Sequence, residues 1–216
     1  MEAHVYMYKL NNAFILSPAC FPGIDYLAIL ANCKTVEIDN SGNYIKQSFR
    51  NRFRLLTASG PMDVVVPVLH KAGVKQEMNS VEICYQENWQ KRAWKTITSA
   101  YGKAPYFLYY ADNYEQLFNH QTNLLIDWNA LILAQLSRDL TFNLPVFCET
   151  WKPDHTDISD LREVIHPKKK SPIEIPAYHQ VFSEKFNFQP GMSCIDLLFN
   201  LGPDASSFLR TIRITG

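Results

Sequence analysis

A chain of 216 residues with 21 basic and 21 acidic side chains carries no net charge at neutral pH. That length suits one large domain with a sizeable core. Neutrality argues against a dedicated nucleic-acid or membrane-surface binder, because such proteins carry a basic excess. No uninterrupted apolar run is long enough to span a bilayer. The amino terminus lacks the charged start, apolar centre and cleavage site of a secretory leader. The expected compartment is therefore the cytoplasm, and the expected organisation is a single domain over residues 1–216.

Residues 13–16 form a short apolar run that reads as a buried strand, ended by Pro18 and Pro22. Residues 23–33 then place Ile24, Leu27, Ala28, Leu30 and Ala31 at helical spacing, with Asp25 in the first turn where it suits the dipole. Residues 35–39 make a second strand, and residues 40–43 (NSGN) its turn. Strand, helix and strand in this order predict a βαβ unit with a parallel pair. In such units ligands gather at the carboxyl ends of the strands. Those ends carry residues 18–22 and 39–43.

The next stretch, residues 43–54 (NYIKQSFRNRFR), sets Lys46, Arg50, Arg52 and Arg54 among Tyr44, Gln47, Ser48 and Asn51, with no acid. Guanidinium forks recognise carboxylate and phosphate at two points, and amides beside them read hydroxyl and carbonyl groups. That inventory suits a small anionic ligand such as a sugar nucleotide, a phosphate or a carboxylate. A strand would put Tyr44, Lys46, Ser48, Arg50, Arg52 and Arg54 on one face. A helix would stack Lys46, Arg50 and Arg54 beside a buried line of Ile45, Phe49 and Phe53. Both geometries stay open for the first half. The turn signal at residues 58–61 and the β-rich run at 62–68 favour a hairpin for the second. The plainer alternative is a solvated basic edge strand.

Residues 71–79 read as a polar connection and 80–85 as another strand. Asn88 is a candidate cap for a helix over residues 89–101, which Gly102 can stop. Residues 106–142 predict two helices that cover the sheet, and 144–150 return as a strand. Residues 151–176 are irregular and charged, with Asp154, Asp157, Asp160, Arg162 and the run Lys168, Lys169 and Lys170. His155 and His166 there are candidate bases or ligands, but their spacing carries no metal signature. Residues 193–201 make a compact apolar helix, with Ser193 able to cap it and Gly202 ending it. The fold class is α/β, with α+β as the alternative. Its predicted parts are an N-terminal βαβ unit and hairpin in a mixed sheet, covering helices and a loop-rich C-terminal third.

Cys20, Cys33, Cys84, Cys148 and Cys194 are odd in number and widely spaced, which predicts free core thiols. The chain has no GxGxxG, Walker loop, HExxH or GxSxG, so no metal is indicated and the cofactor stays unknown.

Several blocks resemble one family, the WbqC-like proteins found with bacterial surface-polysaccharide genes. They are residues 18–22 (PACFP) with Tyr26, 43–52 (NYIKQSFRNR), 94–97 (WKTI) and 101–107 (YGKAPYF). Near the end come 160–162 (DLR), 178–182 (YHQVF) and 196–203 (DLLFNLGP). Cys20 stands where the family commonly has tyrosine, and Asp39-Asn40 where many relatives have paired acids. The resemblance implies a role in O-antigen or other glycan assembly, with acyl or aminoacyl transfer to an amino sugar as a candidate reaction. In that reading Lys46, Arg50 and Arg52 neutralise the ligand's charge, and Tyr44, Gln47 and Asn51 orient its oxygens. Asp39 or His166 is the candidate base, and Pro18, Phe21, Lys103, Tyr178 and Gln180 are further candidate contacts. The competing class is a non-catalytic binding or scaffold protein.

Overall fold

The computed structural model describes residues 13–69, 73, 75–150 and 158–214. Its centre is a parallel sheet. Strand β1 (Ala13–Leu16) leads through helix α1 (Ile24–Asn32) to β2 (Thr35–Asp39), as the sequence predicts. The two strands pair in parallel from Ala13↔Thr35 to Leu16↔Ile38. Both faces of β1 are covered, which is why it reads as a continuous apolar run and not an alternating one.

The rest of the chain supplies β3 (Arg52–Thr57), β4 (Gly60–Val65), β5 (Val68–Leu69) and β6 (Glu82–Ile83). Helices α2 (Trp89–Tyr101), α3 (Phe107–Asn119) and α4 (Leu125–Leu140) follow. Two short strands, β7 (Val146–Cys148) and β8 (Ser159–Asp160), then return to the sheet. Helices α5 (Ser183–Phe186), α6 (Cys194–Leu201) and α7 (Asp204–Thr211) close the chain. The class is α/β. The sheet runs β7-β2-β1-β8, while the β3–β4 hairpin keeps its own antiparallel ladder and β5–β6 another.

That order has a consequence for function. From β1 the chain moves outward to β2 and later β7, then comes back to add β8 on the other side of β1. The direction of winding therefore reverses between β1 and β8, and a crevice opens at their carboxyl ends.

Packing is dominated by aromatic side chains. The Phe21 ring centroid lies 5.4 Å from that of Phe118 in a stack, 4.8 Å from that of Phe53 and 5.7 Å from that of Trp128 in an edge-on contact. Contacts of this kind add about 0.5–1.5 kcal/mol each beyond area burial. Helix α1 is tied to α7 by the Asn32 side chain, which donates to the carbonyls of Ala28 (2.8 Å) and Leu209 (2.9 Å). Gly202 ends α6 at φ +56°, and a Cβ there would lie 2.4 Å from the Tyr106 ring, so only glycine fits. Asn88 and Ser193 occupy the N-cap positions of α2 and α6, but neither side chain makes a capping hydrogen bond.

Candidate functional site

The residues between β2 and β3 are neither helix nor strand. Residues 44–51 form a run of turns folded over the carboxyl end of β1. The loop is pinned from outside. Cys20 N–H donates to the Phe49 carbonyl (2.8 Å), and the Asn129 side chain donates to that of Arg50 (3.0 Å). Asn51 donates through its amide to the Val66 carbonyl (2.8 Å), so it serves the loop's anchorage. The facing loop after β1 carries Phe21 at φ +40°, and the basic loop carries Gln47 at φ +58°. Left-handed conformations at non-glycine residues cost energy and persist where surrounding contacts enforce them.

This anchorage buries Arg50, whose side chain is 8% exposed. Its terminal nitrogen donates to Ser17 Oγ at 2.8 Å, directly after β1. Ser17 Oγ donates in turn to the Arg162 carbonyl (3.1 Å), directly after β8, and the Tyr26 hydroxyl donates to the Ser17 carbonyl (3.0 Å). Arg50 thus sits in the crevice between β1 and β8. Glu163 lies 3.7 Å from the same guanidinium, with its own side chain 60% exposed. The Arg50 Nε is buried and has no hydrogen-bond partner among the described residues. Burial pulls the Arg50 pKa below its ordinary value, against the opposing charges of Glu163 and Asp39. An arginine keeps its proton even so. A cavity of about 10 Å³ lies beside it, lined by Ser17, Pro18, Tyr26, Arg50, Leu161 and Arg162. It has room for roughly one water.

A second guanidinium frames the crevice and is fully engaged. Arg162 donates to Asp39 Oδ2 at 2.7 Å and to both oxygens of Asp160, at 3.0 and 2.5 Å. Asp39 also accepts from the Ser41 N–H (2.9 Å) and hydroxyl (2.5 Å). Burial acts to raise the Asp39 pKa, but the hydrogen bonds from Ser41 and Arg162 outweigh it and hold the carboxyl below its usual range. Burial acts to raise the Asp160 pKa as well, but the hydrogen bonds and charge of Arg162 together outweigh it and lower the pKa. His166 accepts the Lys168 N–H at Nδ1 (3.2 Å). Burial lowers its pKa against the pull of Glu163, with Lys169, Lys168 and Arg50 adding to the lowering. A neutral imidazole with Nδ1 accepting carries its proton on Nε2. Lys168 reaches across to donate to the Gln47 side chain.

Of the residues singled out in the sequence, Pro18 and Arg50 line this cavity, Asp39 joins it through Arg162, and Gln47 and His166 are linked to each other through Lys168. Lys46 is exposed on the same loop, and Tyr44 is half-buried. Burial raises the Tyr44 hydroxyl's pKa against the charges of Arg52 and Arg50. The others lie elsewhere. Arg52 and Arg54 face Asp63 across the hairpin at 3.5 and 2.7 Å. Phe21 is a core residue. Lys103 is exposed in the turn between α2 and α3. Tyr178 and Gln180 turn onto the buried carboxylate of Asp196, Gln180 at 2.8 Å, and Tyr101 donates to its other oxygen at 2.9 Å. His155, Asp154 and Asp157 lie outside the described residues.

Sequence reasoning missed Ser17, Asp160, Arg162, Glu163 and Lys168 as members of the site. The signal for three of them was the Asp-Leu-Arg-Glu run at 160–163, once its strand is seen to pair with β1. All five cysteines are free, and burial pushes the Cys20 thiol far up, as suits a core residue. Among the described residues no group of three or more His, Cys, Asp or Glu side chains could hold a metal ion. Nor is any helix among them long and apolar enough to cross a membrane.

Comparison with known proteins extends these observations. The chain is 23% identical over 234 residues to Rv1507c of Mycobacterium tuberculosis (strain ATCC 25618 / H37Rv), a protein described as uncharacterized. That similarity covers 94% of this chain and 100% of the relative. No solved structure matches. The model of the WbqC-like protein family matches residues 17–170, the span that holds Ser17, the basic loop, β8 and Lys168. The chain belongs to the WbqC-like protein family.

Proposed function

We propose that the crevice between β1 and β8 widens from its present cavity of about 10 Å³ to bind a small molecule through its carboxylate or phosphate group, with Arg50 as the anion's principal partner. The observation that carries this reading is the buried Arg50 guanidinium with an unpartnered Nε at the point where the sheet reverses its winding. A buried charge with donor capacity to spare is costly unless something completes it. Lys168, bonded to Gln47 of the same loop as Arg50, is the further positive charge we assign to the ligand.

Binding fits the geometry better than group transfer. Asp39 accepts three hydrogen bonds, from Ser41 and Arg162, and the Nδ1 of His166 accepts the Lys168 N–H. Acyl or aminoacyl transfer to an amino sugar would need a base, and the hydrogen bonds that lower the Asp39 pKa make it a poor one. The ligand class comes from the family resemblance. It is a sugar nucleotide of surface-polysaccharide assembly, handled in the cytoplasm.

The test is a thermal-shift titration with a nucleoside diphosphate sugar and with inorganic phosphate, since a ligand that binds only the folded state raises the melting temperature. A concentration-dependent rise that disappears in Arg50→Gln is the expected result. Equal shifts in both proteins would exclude Arg50 as the anion's partner, and turnover of the sugar nucleotide would restore the transferase reading.

A further inference from the structure

We infer that Glu163 is a built-in competitor for the anion site, a carboxylate of the chain itself standing where part of the ligand's charge would go. The inference rests on the reading of Arg50 given above and concerns how that site is regulated. Glu163 lies in the turn that follows β8, where the Val164 N–H closes onto the Leu161 carbonyl (3.1 Å). That position carries its side chain to the Arg50 guanidinium from the solvent side. The contact is long, at 3.7 Å, and Glu163 is 60% exposed, whereas the bond from Arg50 to Ser17 is 2.8 Å and sheltered. An ion pair of this length, with the carboxylate largely in solvent, is weak and easily exchanged.

The two partners of Arg50 therefore have different jobs. Ser17 positions the guanidinium and stays. Glu163 balances its charge while the crevice is empty and swings into solvent when an external anion arrives. The turn can accept this without unfolding, because its backbone is held independently: Lys169 donates to the Glu163 carbonyl, not to its side chain. The unpartnered Arg50 Nε shows that Glu163 does not use the whole fork. A ligand able to bridge Nε and the terminal nitrogen has more to gain than the glutamate it replaces. The ligands favoured are thus those presenting two oxygens of one carboxylate or one phosphate group, as each phosphate of a nucleoside diphosphate sugar does.

Titrating the full-length protein with inorganic phosphate by calorimetry tests this. Glu163→Gln should bind phosphate roughly two- to fivefold more tightly than the wild type, the scale set by a weak ion pair. Glu115→Gln, which removes an exposed acid on α3, controls for net charge and should leave the affinity unchanged. The gain should vanish in the Arg50→Gln, Glu163→Gln double variant. If Glu163→Gln binds no more tightly while Arg50→Gln alone abolishes binding, the competitor role is wrong and the Arg50 site stands. If Glu115→Gln tightens binding equally, the effect is general charge and the competitor role is again overturned. If no protein binds phosphate, Glu163→Gln included, the Arg50 site falls and the competitor with it.

Discussion

The crevice at Arg50 and the network at Asp196 are both buried clusters of charged and polar side chains, and they are built to opposite ends. Around Asp196 both carboxylate oxygens are occupied: Oδ1 accepts from Tyr101, and Oδ2 accepts from Tyr178 and Gln180. Tyr101 also receives the Leu56 N–H (2.8 Å), so the network stitches α6 to α2 and β3. Around Arg50 the count does not close, because Nε has no partner among the described residues and one neighbour is a half-solvated glutamate. A satisfied buried cluster is structure. An unsatisfied one at the end of a parallel sheet is the feature on which the proposed anion site rests.

The largest effect expected from this contrast is on stability at Asp196. Asp196→Ala strands three donors in the core and should lower the unfolding free energy by about 3 kcal/mol. Urea denaturation reads the value, and a loss near zero would mean the network holds nothing. Next comes binding at Arg50. Arg50→Gln should weaken phosphate affinity more than tenfold, since a hydrogen bond between charged partners contributes about 1.5–3 kcal/mol. An unaltered dissociation constant in calorimetry would erase the difference between the two clusters.

A smaller effect separates Arg50 from its neighbours in the basic stretch. Asp63→Ala removes the partner of Arg52 and Arg54 and should cost about 0.5–1 kcal/mol of stability. It should leave phosphate affinity unchanged, whereas tighter binding would return those arginines to the site. The smallest effect is confined to acid. The folded-state pKa of Asp39 lies below its unfolded value, so its contribution is full above the ordinary carboxylate range and is lost as pH falls through the folded value. The stability difference between wild type and Asp39→Asn should therefore shrink below about pH 4. A difference that persists unchanged into acid would mean Asp39 is not ionised where it lies.

The β1-α1-β2 unit was legible because its signals are local: an apolar run, a helical period and a turn sequence within about thirty residues. The pairing of β8 with β1 was not, since Phe14↔Ser159 joins residues far apart through a strand only two residues long. Without that pairing, Arg162 and Glu163 look like members of a solvated charged loop. The partner of Arg54 was within reach. A two-residue turn at Ala58-Ser59 sets Thr57↔Gly60, and counting back along the ladder puts Arg54 opposite Asp63. Tyr178 and Gln180 mark the limit of reading side chains by type, because the same hydroxyl and amide groups serve a ligand or a buried carboxylate equally well.

The most direct measurement follows the Nε–H resonance of Arg50 by NMR, assigned by its loss in Arg50→Lys. Titration with inorganic phosphate should move that resonance in a saturable way, ahead of those of Arg52 and Arg54. If it stays fixed while phosphate is raised to saturation of any other site, Arg50 is not where this protein holds its anion.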